Sequence, residues 1–401
     1  MIYIYLIILC IIFKCTKKRN ALNIGLYVIY IISALAAIIL LFIGSEDSVI
    51  KYDTNYAYLI YLLIVLLICI NGFSNFSLNY HVLDLNRSKI LLYADKIGWL
   101  YIPVIFLLIY NDYNVLTNVD LSSYRIEADY YSTGLFKGGK LLSICVYLSE
   151  LFFIPQFLFF YLLPCKDVSK SLKLRLLLAS FAFVFMTLMF AGRDGIVFWI
   201  MNSVIFFLLF KKTYNKNMIK KIKVGGFFLC MLALIPFMAI SIARFYVTGT
   251  GSFAESISPF MSYIGQGPHI FCQSYIVDPM SIQGYEMSSL STSDIQNLQL
   301  HLGWTFGTFV RTFVWTFGKV GGVLVALFFN FVSRIAVNMY NNKSDIWSFF
   351  IIWMLFQIPF WGVFYYRYSI NSIDMVYSIF TVVCIVMYRK TRYHNKSIVI
   401  K

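Results

Sequence analysis

Eleven stretches of this chain are close to the length and apolarity needed to cross a lipid bilayer. A hydrocarbon core about 30 Å thick takes roughly 20 residues of α-helix, and no other open structure satisfies its backbone there. The stretches lie near residues 1–13, 24–43, 56–72, 91–110, 141–163, 174–191, 195–210, 224–243, 317–337, 346–366 and 372–388. The expected fold is therefore an all-α polytopic integral membrane protein of about 11 transmembrane helices, forming one domain over residues 1–401. Composition agrees: 13% of the residues are charged, against about 25% in an ordinary soluble chain. The first stretch is short, and the fourth carries Asp95 and Lys96.

Charge placement sets the expected orientation. Lys and Arg are retained in cytoplasmic loops, and alternating the sides collects 24 of the 33 cations on one face. Those segments are 14–20, 71–96, 165–175, 211–223, 333–345 and the tail after Tyr388. The N-terminus is then outside and the C-terminus cytoplasmic, with acidic residues such as Glu46, Asp47 and Asp53 outside. A net charge of +15 is thus explained by topology and calls for no nucleic-acid partner. The eight cysteines show no CxxC or other metal spacing, so neither a zinc site nor a disulfide framework is expected.

Two outward loops are long: 111–140, and a major loop at 244–316. The second mixes Phe, Tyr, Met and Ile with Gly and Ser, too apolar a composition for a disordered linker. No repeat of 20–50 residues is visible, which argues against a repeat-built transporter.

The candidate functional residues are the polar groups that the orientation rule does not place. Arg193 in AGRDG, Arg244 in SIARFY, Arg311 and Arg367 in YYRYS all lie on the face with fewer cations. Snorkelling to headgroups is the plain reading of any one of them. Together they suit an anionic ligand, because the guanidinium fork binds phosphate oxygens in pairs. Asp194 can serve as a helix N-terminal carboxylate or as a base. Glu150, within the fifth apolar run, is either functional or held by an interhelical hydrogen bond. His269 in GQGPHIF and His301 in LQLHLGW could each accept a proton from a hydroxyl near neutral pH. Trp304 and Trp315, in the Gly- and Thr-rich run 301–322, could stack on sugar rings or anchor at the interface.

AGRDG at 191–195, YIGQGPHIF at 263–271 and FVWTFGKVGG at 313–322 together resemble the Wzy-type polymerases of O-antigen and capsule repeat units, over residues 185–340. The resemblance implies a bacterial inner-membrane glycosyltransferase that uses no cofactor or metal. Such an enzyme polymerises undecaprenyl-pyrophosphate-linked oligosaccharides on the periplasmic face, in some cases beside a chain-length regulator protein. It implies Arg193, Arg244, Arg311 and Arg367 at the pyrophosphate, Trp304 and Trp315 at the sugar, and His269, Asp194 or His301 as the base. A flippase for the same lipid-linked sugars and an O-antigen ligase are the alternatives. Cations clustered at one face beside a long loop favour an enzyme over a translocase.

Overall fold

The computed structural model describes residues 1–16, 20–43, 55–79, 87–118, 139–190, 192–245, 261, 264–273, 307–342, 345–367 and 371–399, and every regular element among them is helical. In chain order the helices are α1 (Ile2–Cys15), α2 (Ala21–Ile43), α3 (Leu59–Asn71), α4 (Arg87–Asn118), α5 (Gly139–Ser149), α6 (Phe153–Leu162), α7 (Lys170–Ser180), α8 (Ala182–Met189), α9 (Asp194–Phe210), α10 (Lys216–Phe245), α11 (Phe309–Asn342), α12 (Ile346–Trp361) and α13 (Asn371–Val399). A 3₁₀ turn at Tyr56–Tyr58 leads into α3, and a short helix occupies 264–273.

Each of the eleven apolar stretches overlaps helix, the stretch 346–366 running on past the end of α12 at Trp361. Among the described residues, five spans are long and apolar enough to cross a membrane: Ala21–Phe42, Arg87–Tyr113, Lys170–Met189, Asp194–Thr213 and Phe309–Asn342. The pair α5 and α6, bent by 50°, makes a sixth if it is one broken span. Helices α1 and α12, and α3 with its leading turn, are apolar but shorter.

The chain packs as two compact units, Met1–Leu83 with Ser252–Lys401, and Asp84–Gly251. In the first, α3 lies along α11 and α12 lies along α13. Gly72 permits the close approach of α3 to α11, since a Cβ there would stand 2.7 Å from that of Ser333. Asn330 of α11 bonds the Ile68 carbonyl. Aromatic residues three or four apart on α12 (Phe349, Trp353, Phe356, Phe360) build the core, with Phe73 5.7 Å from Phe356 in an edge contact. Asp345 starts α12 with a capping box, its carboxylate accepting from the Ser348 N–H.

In the second unit, α4 crosses α7 and α8. The charges that make its apolar run irregular are placed there: Asp95 accepts from Arg175 of α7 at 2.6 Å, and that guanidinium lies 4.3 Å over the Trp99 ring. Phe152 stacks on Phe183 at 4.7 Å and Phe181 on Trp199 at 4.4 Å. Gln156 donates to Ser203 at 2.7 Å and to the Trp199 carbonyl, so its polar head is held inside an apolar bundle. Glu150 is 2% exposed and lies at the bend between α5 and α6, where the Tyr101 hydroxyl donates to the Leu148 carbonyl at 2.7 Å. The carboxyl therefore sits at a break in the helix rather than along a continuous span.

Candidate functional site

The short helix 264–273 is wedged into the first unit by two glycines. A Cβ on Gly265 would fall 2.5 Å from the backbone of Ala36 and Ala37 in α2. One on Gly267 would fall 3.0 Å from the Val363 carbonyl and 3.4 Å from the Thr308 methyl. Ala-Ala facing Gly is how two helical backbones reach contact distance. Where 307–309 meets the end of α12, the Phe309 N–H donates to the Gly362 carbonyl at 2.7 Å. Helix 264–273 thus packs between α2 on one side and the Thr308–Val363 junction on the other.

His269 lies in this wedge, fully buried. Its Nε2 is 2.9 Å from the Ala37 carbonyl, and its Nδ1 is 2.9 Å from the Tyr56 hydroxyl. A carbonyl can only accept, so Nε2 carries the hydrogen and Nδ1 accepts from Tyr56. Burial pushes the imidazole below the ordinary histidine range, partly offset by the bond to Ala37. The ring is therefore neutral, with its basic nitrogen pointed at a phenol. Tyr56 is positioned by its neighbour: the Asn55 side chain accepts from the Ala57 N–H at 3.0 Å and caps the turn that starts α3. Tyr56 is only partly buried, whereas His269 is sealed. Among the described residues, His269 is thus reached from outside only by way of Tyr56, whose hydroxyl covers the basic nitrogen.

The other expected residues of this unit lie on the elements that hold the wedge. Arg311 is one turn into α11 from Thr308, and its guanidinium lies 5.2 Å from the Trp315 ring centroid. Trp315 is thus placed as a cation–π partner of Arg311. Arg367, 5% exposed, follows the Val363 junction and donates to the Tyr365 hydroxyl at 2.8 Å. Thr308, 1% exposed, has a hydroxyl with no hydrogen-bond partner among the described residues.

Helix α11 is broken at Gly318, which has φ 72° and ψ 175°, a conformation that favours glycine. Just past the break, the Tyr61 hydroxyl of α3 donates to the Lys319 carbonyl at 2.6 Å. Gly322 makes room for it, since a Cβ there would stand 2.6 Å from that oxygen. A groove of about 430 Å³ opens between α11 and α12, lined from both sides of the break, by Thr312 and Thr316 before it and Phe328 and Val332 after it, together with Ile358 and Tyr366.

In the second unit, the described residues of AGRDG, 192–195, lead into α9. The Gly192 N–H donates to the Thr187 carbonyl at 2.7 Å, and a Cβ on Gly195 would overlap the Thr187 hydroxyl. Arg193, 8% exposed, precedes α9. Asp194 is the first residue of that helix, where the macrodipole favours a carboxylate. Arg244 is in the last turn of α10, and nothing further is described of its side chain. His301 and Trp304 lie outside the described residues. Sequence reasoning passed over Tyr56 and the Ala37 carbonyl; the one local signal was an Asn directly before a Tyr at the edge of an apolar run.

No protein-family model, curated protein or solved structure is significantly similar to this chain.

Proposed function

We propose that this chain is a membrane glycosyltransferase that polymerises undecaprenyl-pyrophosphate-linked oligosaccharide repeat units on the periplasmic face of a bacterial inner membrane. The observation that carries the reading is the Tyr56–His269 pair. A neutral, buried imidazole aimed at a partly buried phenol, within an apolar helical protein, is a poised proton path. Deprotonation of a sugar hydroxyl is a task that suits it.

In this reading the acceptor hydroxyl gives its proton to the Tyr56 oxygen as the Tyr56 proton passes to His269 Nδ1. The freed oxygen attacks the anomeric carbon of the donor, and the C–O bond to the pyrophosphate breaks. Arg311 and Arg367 meet the negative charge on the departing pyrophosphate, and Trp315 keeps Arg311 in place. The proton on His269 returns through Tyr56 to solvent. A flippase for the same lipid would require no proton acceptor directed at a hydroxyl.

The test is polymerisation of purified lipid-linked repeat units by the chain in proteoliposomes, read as a ladder on a gel. Tyr56→Phe removes one oxygen and preserves shape, so polymer should be lost while donor binding persists. His269→Ala should do the same. If both variants build polymer at the parental rate, the pair is not the proton path, and Asp194 becomes the next base to test.

A further inference from the structure

Six lysines lie within residues 211–223, and no Asp or Glu occurs between Asp194 and Glu255. Lys211 and Lys212 occupy a 3₁₀ turn after α9, and Lys216, Lys220, Lys221 and Lys223 lie at the start of α10. All six are exposed, and none of their ammonium groups has a hydrogen-bond or ion-pair partner among the described residues. Other cations of this unit are taken up by the chain itself: Arg87 bonds Asp167, Arg175 bonds Asp95, and Lys173 donates to the carbonyls of Leu163 and Cys165. The backbone under the six lysines is fixed. Tyr214, buried, donates to the Phe160 carbonyl at 2.7 Å, and the Asn215 side chain caps α10 by accepting from the Met218 N–H at 2.8 Å. Nothing within α10 calls for these charges: cations at the start of a helix oppose its dipole, and Lys216–Lys220 and Lys220–Lys223 are like-charged pairs at helical spacing.

The same surface then turns apolar. Lys216, Lys220 and Lys223 share one face of α10, and Phe227 and Met231 continue it. On the adjoining face Lys221 is followed by Phe228 and Leu232, each 62% exposed. From Lys223 to Phe227 the helix rises about 6 Å. A Cβ added at Gly225 or Gly226 would meet no atom within 4 Å, so no described part of the chain covers this stretch. We propose that residues 211–232 form a binding surface for anionic phospholipid, with the ammonium groups on the phosphodiester oxygens and the acyl chains along Phe227, Phe228 and Met231. Charge and position together select this occupant. Six uncompensated cations call for anions, and a zwitterionic headgroup would bring a further cation to the site. A soluble polyanion would leave the aromatic surface one turn away uncovered, whereas a lipid supplies hydrocarbon to it. Each lysine at such a surface raises affinity for anionic lipid by about fivefold. The proposal is independent of the glycosyltransferase reading, since it concerns bulk phospholipid and no substrate.

The full-length chain in an uncharged detergent is photolabelled with a phosphatidylglycerol that carries a diazirine in one acyl chain, and the adducts are mapped by mass spectrometry. Labelling is expected at Phe227, Phe228, Met231 or Leu232. Unlabelled phosphatidylglycerol should compete there about tenfold better than phosphatidylcholine, or more. Lys220→Gln with Lys223→Gln should weaken labelling about 25-fold, the product of two lysines at about fivefold each. Lys220→Arg with Lys223→Arg should keep it. A thermal midpoint equal to the parent's shows that the Gln variant is folded. Raising NaCl from about 0.1 M to about 0.5 M on the parent chain reads the same charge dependence without any substitution, and labelling should fall about fivefold or more. Equal competition by phosphatidylcholine would overturn the proposal, as would a label indifferent to salt or a folded Gln variant labelled like the parent. Adducts spread equally over the exposed face of α11, at Leu324 for example, would mean general lipid contact and overturn it too. Polyglutamate or a short RNA that displaces the label better than phosphatidylglycerol at equal charge would assign the lysines to a soluble polyanion instead.

Discussion

The wedge of helix 264–273 against α2 makes Gly265→Ala the most diagnostic small change. The added methyl would stand 2.5 Å from the Ala36 carbonyl carbon and from the Ala37 nitrogen, and 2.8 Å from the Ala36 oxygen. Carbon atoms pack at about 3.5–4.0 Å, so the two backbones must separate by about 1 Å. Neither side is the end of a flexible side chain, and overpacking of this kind costs about 1–3 kcal/mol. The same displacement opens the 2.9 Å bond from His269 to Ala37 to about 3.9 Å, beyond hydrogen-bond range. Gly267→Ala meets the Val363 carbonyl at 3.0 Å and should cost less. Gly225→Ala, in α10 with nothing within 4 Å, should be neutral or stabilising by about 0.5–1 kcal/mol, as Ala replaces Gly in a helix. Thermal unfolding of the purified variants in one detergent should rank Gly225→Ala at or above the parent, then Gly267→Ala, then Gly265→Ala. Polymerisation should follow the last two downward. A Gly265→Ala variant as stable as the parent would refute the close approach and the geometry built on it.

Arg311→Lys should keep partial polymerisation and Arg311→Ala none, because Lys retains charge without the planar fork; equal activity of the two would return Arg311 to a snorkelling role. Trp315→Leu should lower stability by about 0.5–1 kcal/mol through the lost cation–π contact, measured in the same thermal series. The His269 ring is held below the ordinary range, so the unfolded chain takes up a proton near pH 6.5 while the folded one does not. Stability should therefore fall as pH drops below about 6.5, and a His269→Gln variant should lose that part of the decline. Reporters fused after Thr54, Asn118 or Ser289 should read periplasm, and those after Asn217 or Lys396 cytoplasm; a cytoplasmic reading at Ser289 would reverse the expected orientation.

Hydropathy is a local property, and the helices it marks were legible from the chain alone: each apolar run from α1 to α13 is helical, because a buried backbone must bond within its own segment. The glycines of AGRDG and GQGPHIF are visible in the sequence as such. What each of them meets is not. Gly265 needs Ala36–Ala37, Gly195 needs Thr187, and neither pairing has a periodicity that a run of residues can carry. Ion pairs show the same limit: Asp95 and Lys96 read as a blemish in a span until Arg175, 80 residues on, arrives to bond Asp95. At the bend by Glu150 and the break at Gly318, a tyrosine hydroxyl from another helix bonds a nearby carbonyl, a partner that only the tertiary structure supplies. The candidate site divides in the same way. His269 stood out as a polar residue in an apolar loop, but its role turned on Tyr56, 213 residues away, and on a carbonyl of α2. Which two segments touch is decided by packing complementarity summed over the whole bundle, and that sum exists only once the chain has folded.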